Sequence, residues 1–146
     1  MSEWAMPKRI QLRRTKGWRK PEGAVVVSRP SKWGNPFSQW DGDPVENYRH
    51  LLNGILDRAE LRQRLCYDKQ PLRADAVIDR LLDQRDFVRA NIGRLRGKDL
   101  CCWCPIISRG GYVPCHADVL LSLANNIPMD EVIRENSRWT EGQALR

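Results

Sequence analysis

The chain has 146 residues, 41% of them apolar and 29% charged, and carries a net charge of +7. That length and balance suit one ordinary globular domain and exclude wholesale disorder, a collagen-like repeat and a coiled-coil rod. No run of about 18 apolar residues occurs, so no transmembrane helix is expected, and the first 25 residues, studded with Arg and Lys, lack the apolar segment of a secretory leader.

Residues 9–14 alternate polar and apolar, which predicts a half-buried strand. Thr15 to Gly23 carries two glycines and a proline and reads as a loop. Ala24–Ser28 holds three valines and predicts a strand buried on both faces. Arg29-Pro-Ser-Lys-Trp-Gly-Asn-Pro-Phe37 follows as a loop constrained by two prolines and a glycine. Asp43 as N-cap, Pro44 at the first helical position and Glu46 three residues after the cap predict a helix start. Val45, Tyr48, Leu51, Leu52, Ile55 and Leu56 then recur at helical spacing. A weaker helix is expected over Glu60–Tyr67, stopping near Pro71. Another is marked by Val77, Ile78, Leu81, Leu82, Val88, Ile92 and Leu95, ending at Gly97. Lys98–Cys104 predicts a strand closed by Pro105. Pro114 opens a helix reaching about Asn125, with Val119, Leu120 and Leu123 on its buried face. A short helix near Met129–Glu135 and a frayed tail are expected last.

This order predicts a compact three-layer α/β domain spanning residues 1–146, a small sheet flanked by helices, with Ala24–Ser28 and Leu100–Cys104 as neighbouring strands. Residues 1–32 form a basic N-terminal segment and 126–146 a short C-terminal extension. The first 32 residues hold nine basic groups against two acids, and the remaining chain is neutral, so the whole charge excess lies there. Such a segment attracts polyanions, with Arg13, Arg14, Arg19 and Lys20 as the expected nucleic-acid contacts, or it serves only as a solvated face. Trp18 among these charges would stack on a base or cap a core edge.

Ligands of open α/β sheets sit beyond the carboxyl ends of the strands. Both chemically loaded loops leave such ends, which places them in one pocket although about 80 residues separate them. In the first loop, Arg29 and Lys32 suit phosphate, Ser31 adds a hydroxyl, and Trp33 offers a stacking face. Gly34 allows close approach, and Asn35 reads a base edge or ribose hydroxyl. In the second, Cys115 follows Pro114 at a helix N-terminus, where the dipole favours a thiolate. His116 would move a proton, and Asp118 lies one turn on. The same terminus would also bind a phosphate or carboxylate without catalysis. A plain packing and capping role is the competing reading for all three.

Five cysteines, four of them between Cys101 and Cys115, fit a reduced chain better than a disulfide framework. Cys102, Cys104, Cys115 and His116 make a possible zinc set. In a regular strand, however, Cys102 and Cys104 would lie roughly 7 Å apart, so no cofactor is the first expectation and zinc the second.

The Arg29–Phe37 motif, together with Cys102-Trp-Cys104 and the following Pro-Cys-His-Ala-Asp-Val-Leu-Leu121, resembles domain-of-unknown-function family 4326, small proteins of bacteriophages and bacteria. The resemblance covers roughly residues 9–125 and implies a phage or bacterial protein of the bacterial cytoplasm. Its motifs fall on Arg29, Lys32, Trp33, Gly34, Asn35, Pro36, Cys102, Trp103, Cys104, Cys115, His116 and Asp118.

The leading expectation is a pocket for a nucleotide- or nucleoside-like ligand, with hydrolysis or transfer as the chemistry of Cys115, His116 and Asp118. The alternative is a non-catalytic phage effector that binds nucleic acid or a host protein through the basic segment. A third reading is a small zinc-bearing nucleic-acid binder. No Walker loop, Gly-x-Gly-x-x-Gly or Gly-x-Ser-x-Gly motif is present.

Overall fold

A computed structural model describes residues 5–38, 42–65 and 71–144. Three short strands, β1 (Arg9–Gln11), β2 (Val25–Val26) and β3 (Leu100–Cys102), form a parallel sheet in the order β1-β3-β2. Leu100 faces Arg9 on one side and Val25 on the other. The ladder continues past the strand ends, with Leu12 N donating to Cys102 O and Val27 N to Cys101 O, both at 2.8 Å. The expected neighbours are therefore adjacent, and β3 is the buried central strand.

Two expectations about the strands change. β2 lies at a sheet edge, and Val26 is 38% exposed, so this strand is not buried on both faces. In β1 the polar–apolar alternation is inverted: Arg9 is fully buried while Ile10 is only partly so. The reason lies in the partners of Arg9, given below.

Helix α1 (Pro44–Leu52) starts as its sequence signals predict, with the Asp43 carboxylate accepting from the amides of Val45 and Glu46. It stops at Leu52, and Ile55 lies outside it, 55% exposed. Helix α2 (Arg58–Arg64) is capped by Asp57. Helix α3 (Pro71–Asn91) has Pro71 as its first residue rather than as a stop after α2, as suits a residue with no amide hydrogen to lose. It runs on into a 3-10 turn (Ile92–Leu95). A two-stranded hairpin, β4 (Ile107–Ser108) and β5 (Gly111–Tyr112), fills the loop after β3. Helix α4 (His116–Asn125) packs on β3 and is covered by α1, α5 and the 3-10 turn. It is the middle of an α/β layered core in which Tyr48, Leu51, Leu100, Leu120 and Leu121 are essentially inaccessible.

Helix α5 (Met129–Ala144) replaces the expected short helix and frayed tail. Its buried spine is Val132, Asn136 and Thr140, spaced by four. Two of the three are polar, so hydrophobic periodicity does not reveal them. They are satisfied internally, Asn136 Oδ1 accepting from the Arg9 amide and Thr140 Oγ1 donating to Asn136 O. No helix among the described residues is long and apolar enough to cross a membrane.

Candidate metal centre and ligand cleft

The loop after β2 is built from its own hydrogen bonds. Arg29 Nε donates to Asn35 O (2.6 Å) and Nη2 to Phe37 O (2.9 Å). Asn35 Nδ2 donates to Pro44 O, and its Oδ1 accepts from the Phe37 amide. Tyr48 donates to Trp33 O, and Gln84 Nε2 to Gly34 O. Gly34 lies so close to Arg29 that a Cβ there would sit 2.8 Å from Arg29 Cγ. The Trp33 indole packs on Phe87, ring centroids 5.4 Å apart. Arg29, Trp33, Gly34 and Asn35, predicted to hold a ligand, thus first of all make a rigid loop. Ser31 and Lys32 face a groove of about 770 Å³ between this loop and α3, and the buried Ser31 hydroxyl has no hydrogen-bond partner among the described residues.

At the other strand end, chain direction decides the geometry. β3 ends at Cys102 and the chain bends at Trp103 and Cys104. The strand spacing that separated Cys102 from Cys104 therefore does not apply, and the Sγ atoms of Cys102, Cys104 and Cys115 all lie within 4.8 Å of one another. Cys102 and Cys115 are 3.5 Å apart and not bridged. His116 Nε2 donates to Val27 O at 2.8 Å, because a carbonyl can only accept, and this leaves Nδ1 facing Cys104 Sγ at 4.0 Å. The three sulfurs form a soft donor cluster of the kind that holds zinc, and His116 Nδ1 stands beside Cys104 as a candidate fourth donor.

The electrostatics reassign the thiolate. Hydrogen bonds from Cys102 and Cys115 pull the Cys104 thiol down to about 3. The hydrogen bonds to Cys102 and Cys104, with burial, push Cys115 up instead, so the acidified thiol is Cys104 and not Cys115, where it was expected. Burial lowers the His116 pKa and keeps the ring neutral. The fifth cysteine, Cys66, lies outside the described residues.

Sequence reasoning missed Arg9. Its side chain is wholly buried, Nη1 at 3.2 Å from Asp118 Oδ2 and also bonded to Val113 O, with Nη2 donating to Pro105 O at 2.9 Å. It belongs to the core and not to the polyanion-attracting segment. Asp118 additionally accepts from Tyr112 Oη (2.6 Å) and from the Cys115 amide (3.0 Å), and burial raises its pKa. Fully engaged, Asp118 closes a capping box in which Cys115 Sγ accepts from the Ala117 amide. The N-terminal amides of α4 that were expected to bind a ligand anion are thereby partly spent on Cys115 and Asp118. A charged residue in an alternating strand opposite a distant Asp offers no signal by which sequence alone would pair them.

A cleft of about 880 Å³ joins the two loops, with Arg29, Asn35, Cys104, Cys115 and His116 in its walls. Trp103 borders it, 46% exposed, with the Arg14 guanidinium 5.1 Å from the ring centroid. Arg13, Arg14 and Arg19 are exposed, as is Lys20, whose ammonium donates to Ala24 O. Trp18 is half-buried.

No curated protein and no solved structure matches the chain. The model of the family described as domain of unknown function (DUF4326) matches residues 10–126, which include both loops and all four sulfur and imidazole donors. On that match, the chain belongs to the DUF4326 family.

Proposed function

We propose that the cleft between the two loops binds a nucleotide- or nucleoside-like ligand. The carrying observation is the exposed Trp103 indole at the cleft rim with Arg14 stacked beside it. An indole face accepts any nucleobase, and a guanidinium at the same place suits a phosphate. The cleft lies past the carboxyl ends of the parallel strands β2 and β3, where such sheets take their ligands. Lys32, on the adjoining groove, adds a second cation. The role is binding: Cys115 and Asp118 are committed to capping and to Arg9, which argues against the hydrolase or transferase chemistry expected of them. A reduced bacterial cytoplasm, of host or phage-infected cell, accords with the unbridged cysteines.

Titration of the whole chain with AMP, ATP, adenosine and their pyrimidine counterparts tests this. Intrinsic fluorescence should be quenched by at least one of them, and Trp103→Ala should remove the quench and weaken binding about tenfold or more, one stacked base contributing about 1–3 kcal/mol. Failure of every nucleoside and nucleotide to bind at millimolar concentration refutes the reading. A second reading, nucleic-acid binding through the basic segment, is favoured by the exposure of Arg13, Arg14, Arg19 and Lys20.

A further inference from the structure

We infer that Cys102, Cys104, Cys115 and His116 bind one zinc ion in a closed, structural site. Around a tetrahedral zinc with sulfur ligands at about 2.3 Å, neighbouring sulfurs lie about 3.8 Å apart. The sulfurs here are already gathered to that scale, Cys102 to Cys115 at 3.5 Å and all three within 4.8 Å. His116 Nδ1, at 4.0 Å from Cys104 Sγ, stands within about 0.5 Å of the nitrogen–sulfur separation that the same tetrahedron requires.

The surroundings are those of a metal ligand set. A ligating histidine characteristically donates its other ring nitrogen to a carboxylate or carbonyl, which fixes the tautomer and aims the lone pair. His116 does this through Nε2 to Val27 O. Cys102, Cys115 and His116 are buried and Cys104 is only partly so, with Cys104, Cys115 and His116 bordering the cleft from which an ion would enter. Three thiolates and a neutral imidazole around Zn²⁺ carry one net negative charge. Arg9, bonded to Cys104 O and Pro105 O, brings a buried positive charge beside it.

The four donors fill the tetrahedron, leaving no open position for a water or substrate, so the ion's role is to fasten β3 and the loop after it to the start of α4. That fastening holds the wall of the cleft formed by Cys104, Cys115 and His116, whatever the cleft binds. Binding releases the thiol protons to solvent and involves no redox change.

Elemental analysis of the whole chain, purified without chelator from zinc-supplemented cells, should find about one zinc per chain. Cobalt replacement should give the strong visible bands of a tetrahedral ion and a near-ultraviolet thiolate-to-cobalt charge transfer. Chelation should speed alkylation of Cys102, Cys104 and Cys115 at least tenfold over the zinc-loaded protein. His116→Cys should keep the metal and intensify the charge transfer, whereas Cys104→Ser should lower zinc affinity at least tenfold. If a variant fails to fold, the cobalt spectrum and alkylation rates of the parent chain still decide. A chain that takes up no zinc and shows alkylation indifferent to chelator overturns the inference. So does a weak, octahedral cobalt spectrum.

Discussion

Replacing Arg9 by Met should be among the most damaging single changes in this protein. Arg9 and Asp118 are each wholly inaccessible, 3.2 Å apart, and 109 positions apart in sequence. The guanidinium also ties down Val113 O and Pro105 O, so it holds the hairpin loop against the sheet. Met fills much of the same volume but leaves the Asp118 carboxylate buried with no cation. Breaking a buried pair from one side costs about 3–5 kcal/mol. For a chain of this size that is about 10–15 °C in Tm, at about 3 °C per kcal/mol. The partner variant separates charge from packing. Asp118→Asn keeps an oxygen for the α4 cap while removing the charge, so in the Arg9→Met, Asp118→Asn double variant the unpaired anion is gone. The double variant should recover at least about 2 kcal/mol relative to Arg9→Met alone, a coupling that a double-mutant cycle reads directly from urea unfolding midpoints and slopes. A single variant within about 1 kcal/mol of the parent, or strictly additive losses, would refute the account of Arg9 as the buried counter-ion of Asp118.

The remaining predictions concern the first loop and the basic segment. Gly34→Ala places a Cβ 2.8 Å from Arg29 Cγ and 3.0 Å from the Arg29 backbone nitrogen, which cannot swing away. It should cost about 1–3 kcal/mol in equilibrium unfolding, and an unchanged midpoint would contradict the close approach. If the basic segment binds single-stranded nucleic acid, changing Arg13, Arg14, Arg19 and Lys20 to Ala should flatten the slope of log affinity against log salt by about 3, since each phosphate contact contributes about 0.7. A salt slope identical in parent and variant would take the segment out of nucleic-acid binding.

What is local was legible in the chain. The Asp43–Pro44–Glu46 start of α1 needs only groups three residues apart, and the valine- and cysteine-rich runs mark themselves as strands. Two loops leaving neighbouring parallel strands must emerge at one edge, so their shared cleft followed from the strand assignment. Tertiary structure decided the rest wherever a polar group found a distant partner. Arg9 is buried because Asp118 and two loop carbonyls await it, and the spine of α5 is polar because Asn136 meets the β1 backbone. β2 is an edge strand because the order places β3 between it and β1, which no property of its valines determines. The thiol cluster depends on the bend after Cys102, which turns Cys104 back toward Cys115 and cancels the strand spacing that had kept them apart. Residue spacing encodes periodic and capping contacts within a turn or two of chain. The convergence of donors from β3, the following loop and α4 is a property of how those elements are stacked.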